Sequence, residues 1–359
     1  MNRATGRKLF VEQLESRRVL AGNISATQVG GNLTITGDDL GNRISVESIG
    51  TNAVQVRGFS DAGGPTRVNQ LANGTRTFNN VTGDMSIRMR GGNDLVRVTN
   101  LVNQGTLLVD LGDGNDQAVT GRDTAAGNGR FGGSASGPLY VHGALRVVGG
   151  AGDDVTLQSD LEVKGNGLLN LGTGNDTLRM QLPPAGAPLV KYLGQLTIVP
   201  DAGNDTLNLA SLLVDDDVVI NYVSGRLNLT LRATDVRGNL TVFSDIVGDT
   251  VDIATTNVRD HLRIETEGGN DIVRVSATTS QLTAKLGDGS DRLELTALRA
   301  DVLDVFGGLG NDLFVVRSVR AFDANFRGEG NTDTYQDSLA QPSRYADLNL
   351  LTIENQDTV

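Results

Sequence analysis

A single short turn recurs along this chain, and that recurrence limits the fold more than any other feature. Eight segments share a Gly, then Asn, Asp or Ser, then Asp: RGGNDLVRV (90–98), LGDGNDQAV (111–119), GGAGDDVTL (149–157), LGTGNDTLR (171–179), PDAGNDTLN (200–208), EGGNDIVRV (267–275), LGDGSDRLE (286–294) and GGLGNDLFV (307–315). Their final aspartates are Asp94, Asp116, Asp154, Asp176, Asp205, Asp271, Asp291 and Asp312. The spacings are 22, 38, 22, 29, 66, 20 and 21 residues. The longest is three periods of 22, and the degenerate turn Gly248-Asp249 fills one of its missing steps. The 38- and 29-residue intervals hold a Gly/Ser-rich stretch (121–137) and three prolines (Pro183, Pro184, Pro188), which read as surface loops interrupting a constant period.

Apolar residues alternate on both sides of each turn. Leu107/Val109, Leu145/Val147, Leu262/Ile264 and Leu303/Val305 precede turns, while Val96/Val98, Leu207/Leu209, Val273/Val275 and Phe314/Val316 follow them. Alternation over four or five residues marks a half-buried strand. Two or three such strands per 22 residues, with no crossover helix, predict one coil of an all-β parallel β-solenoid. Stacked at the strand spacing, roughly 13 coils make a rod about 60 Å long. The residues two and four after each aspartate should point inward. The residue three after it points outward, where Asp252, Arg274 and Glu294 alternate in sign on successive coils.

Composition excludes several functions. There is no Cys, which removes disulfide scaffolds, zinc-thiolate sites and cysteine nucleophiles. No apolar run approaches the 18 or so residues of a membrane helix, so no transmembrane segment is expected. A net charge of −12 argues against nucleic acid as a partner. The acids are 34 Asp to 9 Glu, and there are 46 Gly, a balance that favours turns over helices.

The turns resemble the glycine- and aspartate-rich nonapeptides of RTX-type (hemolysin-type) calcium-binding proteins, patterned G-G-x-G-x-D-x-U-x with U a large aliphatic residue. The match is full at Gly307, Gly308, Gly310, Asp312 and Phe314; at 149–157 Thr156 stands at U, and elsewhere the first glycine is Leu111, Leu171, Leu286 or Pro200. The resemblance implies Ca²⁺ held between stacked turns by carboxylates and backbone carbonyls. The candidate ligands are the eight aspartates above with Gly114, Gly152, Gly174, Gly289 and Gly310. Calcium takes six to eight oxygens, and glycine reaches backbone conformations that direct carbonyls toward a cation. In the family these nonapeptides run in tandem, whereas here one turn occurs per coil, so at most one column of sites forms. The alternative is a metal-free rod, since Gly-Asn-Asp is also an ordinary tight turn and Asn side chains stack into ladders.

Residues 1–22 differ from the rest, with five bases and two acids. They read as a short helical targeting or capping segment, with Phe10 and Leu14 at helical spacing. Leu14-Glu15-Ser16-Arg17-Arg18-Val19-Leu20 resembles the LEPR-XLL motif of large exported bacterial proteins, with Ser16 for Pro and Val19 for Leu. Residues 23–327 are expected to form the solenoid and 328–359 a C-terminal cap. Catalytic signals are weak: Asp215-Asp216-Asp217 alternate in direction, His142 and His261 lie far apart, and no Trp offers a sugar platform. The expected function is a secreted or cell-surface, calcium-stabilised solenoid with a structural or adhesive role. Extracellular polysaccharide or other surface proteins are its expected partners, and a polysaccharide-acting β-helix enzyme is the alternative.

Overall fold

The computed structural model describes residues 22–61, 64–72, 74–122, 137–180, 190–338 and 342–358. No helix occurs among them. One coil shows how the repeat is built. Leu107–Asp113 leads into the turn, Gln117–Gly121 leaves it, the three-residue strand Leu139–Val141 crosses the third side, and Leu145–Ala151 opens the next coil. Each strand pairs in parallel with its equivalent one coil on: Leu107 with Leu145, Leu145 with Gly167, Gly167 with Leu196, Leu196 with Val218. Three columns of strands result, wound into about 11 turns of about 22 residues each.

The apolar alternation explains the packing. Leu107, Val109 and Leu111 enter the core before one turn, and Val273 and Val275 enter it after another, all fully or nearly fully buried. Stacking brings each inward residue onto its counterpart in the next coil, so a single core runs the length of the rod. The outward register is also as read from the sequence: Asp252 lies opposite Arg274, and Arg274 opposite Glu294 at 3.4 Å. Thr156 points inward despite its hydroxyl. Two residues on, buried Gln158 accepts a 2.8 Å hydrogen bond from the hydroxyl of buried Tyr192.

The corner between the second and third columns mostly turns without glycine, on one residue in the left-handed region six positions after the turn aspartate: Asn100, Asp160, Ser211, Thr255, Ala297 and Ser318, with Ala233 six after Leu227, at φ between 49° and 56°.

The ends differ from the sequence reading. Asn23–Val29 folds back antiparallel on Asn32–Thr36, Ala53–Gly58 pairs antiparallel with Arg43–Gly50, and Thr75–Phe78 pairs antiparallel with Ala53–Gly58. These hairpins use residues that were assigned to coils, which is why about 11 turns form instead of 13. At the other end the stack does not break at 328. Thr334–Asp337 pairs in parallel with Leu313–Val316, and Asn355–Thr358 pairs with Thr334–Asp337. The glycine- and proline-containing segment that suggested a cap supplies two further rungs. Phe314, Phe326 and Tyr335 fill the core there, with ring centroids 5.8 and 5.1 Å apart. The basic segment 1–21, including the LEPR-XLL-like run, lies outside the described residues.

Candidate functional site: a buried aspartate spine

Stacking places all eight predicted aspartates in one column at the first corner. Each lends one carboxylate oxygen to the backbone of the preceding coil. Oδ1 of Asp116 accepts the Asp94 N–H at 2.6 Å, Asp154 accepts that of Asp116 at 2.8 Å, and Asp176 that of Asp154 at 2.7 Å. Asp205 continues the series at 2.7 Å. The same bond joins Asp291 to Asp271 at 2.8 Å and Asp312 to Asp291 at 2.9 Å. The column begins at Asn42, whose N–H donates to Asp94, and ends where Asp333 N–H donates to Glu354.

Two members were absent from the sequence-derived set. Asp249 accepts the Leu227 N–H and Asp333 that of Asp312. The period pointed to both, since 249 lies 22 before 271 and 333 lies 21 after 312. Their turns, Gly-Asp and Thr-Asp, depart from the Gly-Asn-Asp triplet. The rung between Asp205 and Asp249 carries Leu227, and there the Tyr222 hydroxyl donates to the Gly203 carbonyl instead.

The second oxygen of every spine carboxylate is a different matter. Oδ2 of Asp94, Asp116, Asp154, Asp176, Asp205, Asp249, Asp271, Asp291, Asp312 and Asp333 is buried and has no hydrogen-bond partner. Burial is the main cause that drives these carboxyls toward their neutral form. Asp94 is pushed up to about 8, helped by the charge of Asp116 and opposed by the Asn42 N–H. Asp154, Asp176, Asp271 and Asp291 rise to about 7, and Asp116, Asp205, Asp249 and Asp312 to about 6. In each case burial outweighs the favourable N–H bond, and neighbouring acids push mostly the same way.

The residue five positions before each aspartate decides what faces Oδ2. In order it is Met89, Leu111, Gly149, Leu171, Pro200, Ser244, Thr266, Leu286, Gly307 and Gly328, and Tyr222 holds the same place before Leu227. Where it is glycine, the unpartnered oxygen and a main-chain carbonyl of the following coil crowd the space a side chain would take. A Cβ on Gly149 would lie 2.6 Å from Asp154 Oδ2 and overlap the Leu171 carbonyl oxygen. One on Gly307 would overlap Asp312 Oδ2 and lie 2.9 Å from the Gly328 carbonyl, and Gly328 has the same relation to Asp333 and the Thr352 carbonyl. Thr266 shows what that space accepts, for its hydroxyl sits beside Asp271 and donates to the Leu286 carbonyl at 2.8 Å.

The five glycines read as carbonyl donors play another part. Gly114, Gly152, Gly174, Gly289 and Gly310 all have φ between 129° and 157°. A Cβ on any of them would overlap the carbonyl oxygen of the corresponding glycine one coil earlier, that of Gly92, Gly114, Gly152, Gly269 and Gly289 in turn. Those carbonyls run along the rod and are covered by the next coil. Outside the spine runs a second, exposed ladder: Asn93 accepts the Asn115 N–H at 3.0 Å, Asn115 that of Asp153 at 3.1 Å, and Asp153 that of Asn175 at 2.7 Å.

As a receptor for calcium, the spine offers hard, anionic, buried oxygens, which suit the ion. At Asp154, Asp312 and Asp333 such an oxygen and a main-chain carbonyl oxygen of the following coil lie close together beside a glycine. Five residues before Asp94, Asp116, Asp176 and Asp291 stand the buried apolar residues Met89, Leu111, Leu171 and Leu286. Among the described residues no three His, Cys, Asp or Glu side chains gather as a cation-holding cluster.

Fold and site together define a parallel β-solenoid with a carboxylate spine. Residues 5–24 match a family model described as Planctomycete extracellular, which suggests that the chain works outside the cell. No curated protein and no solved structure matches the chain. No described helix is long and apolar enough to cross a membrane.

Proposed function

We propose that this chain is an extracellular structural rod, secreted or displayed at the cell surface, whose buried spine is neutralised by calcium. The observation that carries the reading is the column of ten buried carboxylates, each with one oxygen bonded to the neighbouring coil and one unpartnered. Successive rungs lie about 4.8 Å apart, where ionised neighbours in a low-dielectric interior repel strongly. Either protons or cations must offset that repulsion. Calcium would supply two positive charges at Asp154 and at the Asp312–Asp333 pair. The spine's own work is to hold rungs in register, because each Oδ1 accepts an N–H at a corner where no strand partner reaches it.

A metal-free rod with protonated carboxyls is the competing reading, supported by the raised carboxyl values. A polysaccharide-acting enzyme has less support. Asp215 pairs with Arg237 at 2.9 Å and Asp217 accepts the Asn239 N–H at 2.7 Å, so both acids serve contacts between coils.

Thermal melts followed by circular dichroism, at about pH 8 in excess Ca²⁺ and in chelator, test the proposal. One site filled at 100 times its dissociation constant adds about 2.7 kcal/mol. Calcium should raise the midpoint of the native chain, and the double substitution Asp312→Asn, Asp333→Asn should remove much of that rise. Identical melts in both buffers would rule calcium out and leave the metal-free rod.

A further inference from the structure

Outward charges along most of the rod are matched in sign between coils. Arg88 faces Asp110 at 3.9 Å, Lys191 faces Glu162 at 3.9 Å, Arg232 faces Asp252 at 3.3 Å, and Lys285 faces Glu265 at 2.7 Å. The third side near the C-terminal end breaks this rule. Arg299 pairs in register with Arg320, and Arg320 with Arg344. All three are exposed, and none takes part in an ion pair with another described residue. Like charges directly opposite one another on adjacent strands destabilise a sheet, and three stacked guanidinium groups with no carboxylate between them are a standing cost to the fold.

Two depressions flank the arginine column. One, of about 650 Å³, is lined among others by Arg259, Thr278, Ser280, Arg299, Arg320 and Phe322. The other, of about 330 Å³, is lined by Arg299, Arg320, Arg344, Ser318, Ala297 and Pro342. Asp301 is the single acid among these lining residues. Phe322 is 72 % exposed, an unusual place for a phenyl ring on a chain with only 4 % aromatic residues.

We propose that this face binds an acidic polysaccharide laid along the rod axis. The guanidinium forks, repeated about every 4.8 Å, match carboxylate or sulfate groups with paired hydrogen bonds. Thr278 and Ser280 offer hydroxyls to sugar hydroxyls, and the Phe322 ring offers an apolar face to a pyranose ring. The chain as a whole carries a net charge of −12, so away from this face it repels a polyanion and binding is confined to this edge. The site uses none of the spine residues and stands independently of whether calcium binds them.

The test is binding of the full chain, in a buffer where dichroism shows the β-rich fold, to polygalacturonate, dextran sulfate, neutral dextran and duplex DNA. The two acidic polysaccharides separate carboxylate from sulfate recognition. Binding to at least one of them and none to neutral dextran is expected. The triple variant Arg299→Ala, Arg320→Ala, Arg344→Ala should weaken binding at least tenfold and flatten its salt dependence, with a melting midpoint no lower than that of the native chain. The triple Arg→Lys variant should retain part of the affinity, because it keeps charge and loses the fork. Phe322→Ala should weaken binding a few-fold without altering the salt dependence. Failure to bind either acidic polysaccharide, indifference to the arginine substitutions, or tighter binding to DNA would each overturn the proposal.

Discussion

At the scale of single residues, backbone geometry separates two kinds of corner. At the spine corner, Gly310 has φ 142° and its Cα lies on the Gly289 carbonyl, so a Cβ there would collide with that oxygen. Gly310→Ala is expected to cost about 2–4 kcal/mol, combining backbone strain with displacement of the neighbouring coil. The loss would show as a lower midpoint in urea. The opposite corner behaves in the reverse way. Ala297 has φ 53° with only ordinary side-chain needs, and a non-glycine residue in that region stores about 1 kcal/mol. Ala297→Gly should therefore stabilise the rod by a few tenths to about 1 kcal/mol, and a drop in midpoint would show that the Ala297 methyl group contributes packing. Nothing in the sequence marked these αL positions. Asn, Asp, Ser, Ala and Thr all occupy the column, and the conformation is imposed by the strands on either side.

At the scale of the element, the spine behaves as one titrating unit. Its carboxyls hold protons more tightly folded than unfolded, since their values rise from 3.8 to about 6 to 8. The stability linked to those protons is complete below about pH 4 and is lost as pH rises through the folded values. In chelator the midpoint should therefore fall between pH 5 and pH 8, and a rise over that range would show that the buried carboxylates are already compensated. Asp176→Asn, at a rung closed by Leu171, should raise the midpoint at pH 8 in chelator and change little at pH 5, because Asn keeps the oxygen that accepts the Asp154 N–H. The aromatic cluster at the C-terminal end is a separate element. Phe326 is fully buried between Phe314 and Tyr335, and Phe326→Ala should cost about 3–5 kcal/mol, read as early loss of the last rungs in the melt.

For the whole molecule, stability is distributed along the rod, because each coil touches only its neighbours. The N-terminal coil is covered by antiparallel hairpins, whereas among the described residues Arg344–Leu351 and Asn355–Thr358 have a strand neighbour on one side only. Hydrogen exchange should reflect this asymmetry, with amides in 344–358 exchanging at least tenfold faster than those in 240–296. Uniform protection would point to association of rods through the C-terminal edge.

The period of 22, read from Gly-Asn-Asp and from alternating leucines and valines, determined the solenoid, its inward positions and the alignment of Asp252, Arg274 and Glu294. A repeat makes those features legible because every coil meets the same stacking requirement, so the signal is written many times. The sequence also placed eight of the ten spine aspartates, since each occupies the same offset from its strands. What each carboxylate faces was decided only in the tertiary structure. One oxygen bonds to the preceding coil, and the other meets whichever side chain the coil places five residues earlier. Gly149 and Leu171 hold the same place in the turn pattern, yet at Gly149 a buried carboxylate oxygen and a carbonyl stand where a side chain would begin, while Leu171 buries an apolar side chain. The arginine column is of the same kind: Arg299, Arg320 and Arg344 are scattered charges in the sequence and become neighbours only because successive coils stack in register. Local pattern specifies what every coil shares, while contacts between coils depend on pairs of residues about 22 apart whose side chains vary from one rung to the next.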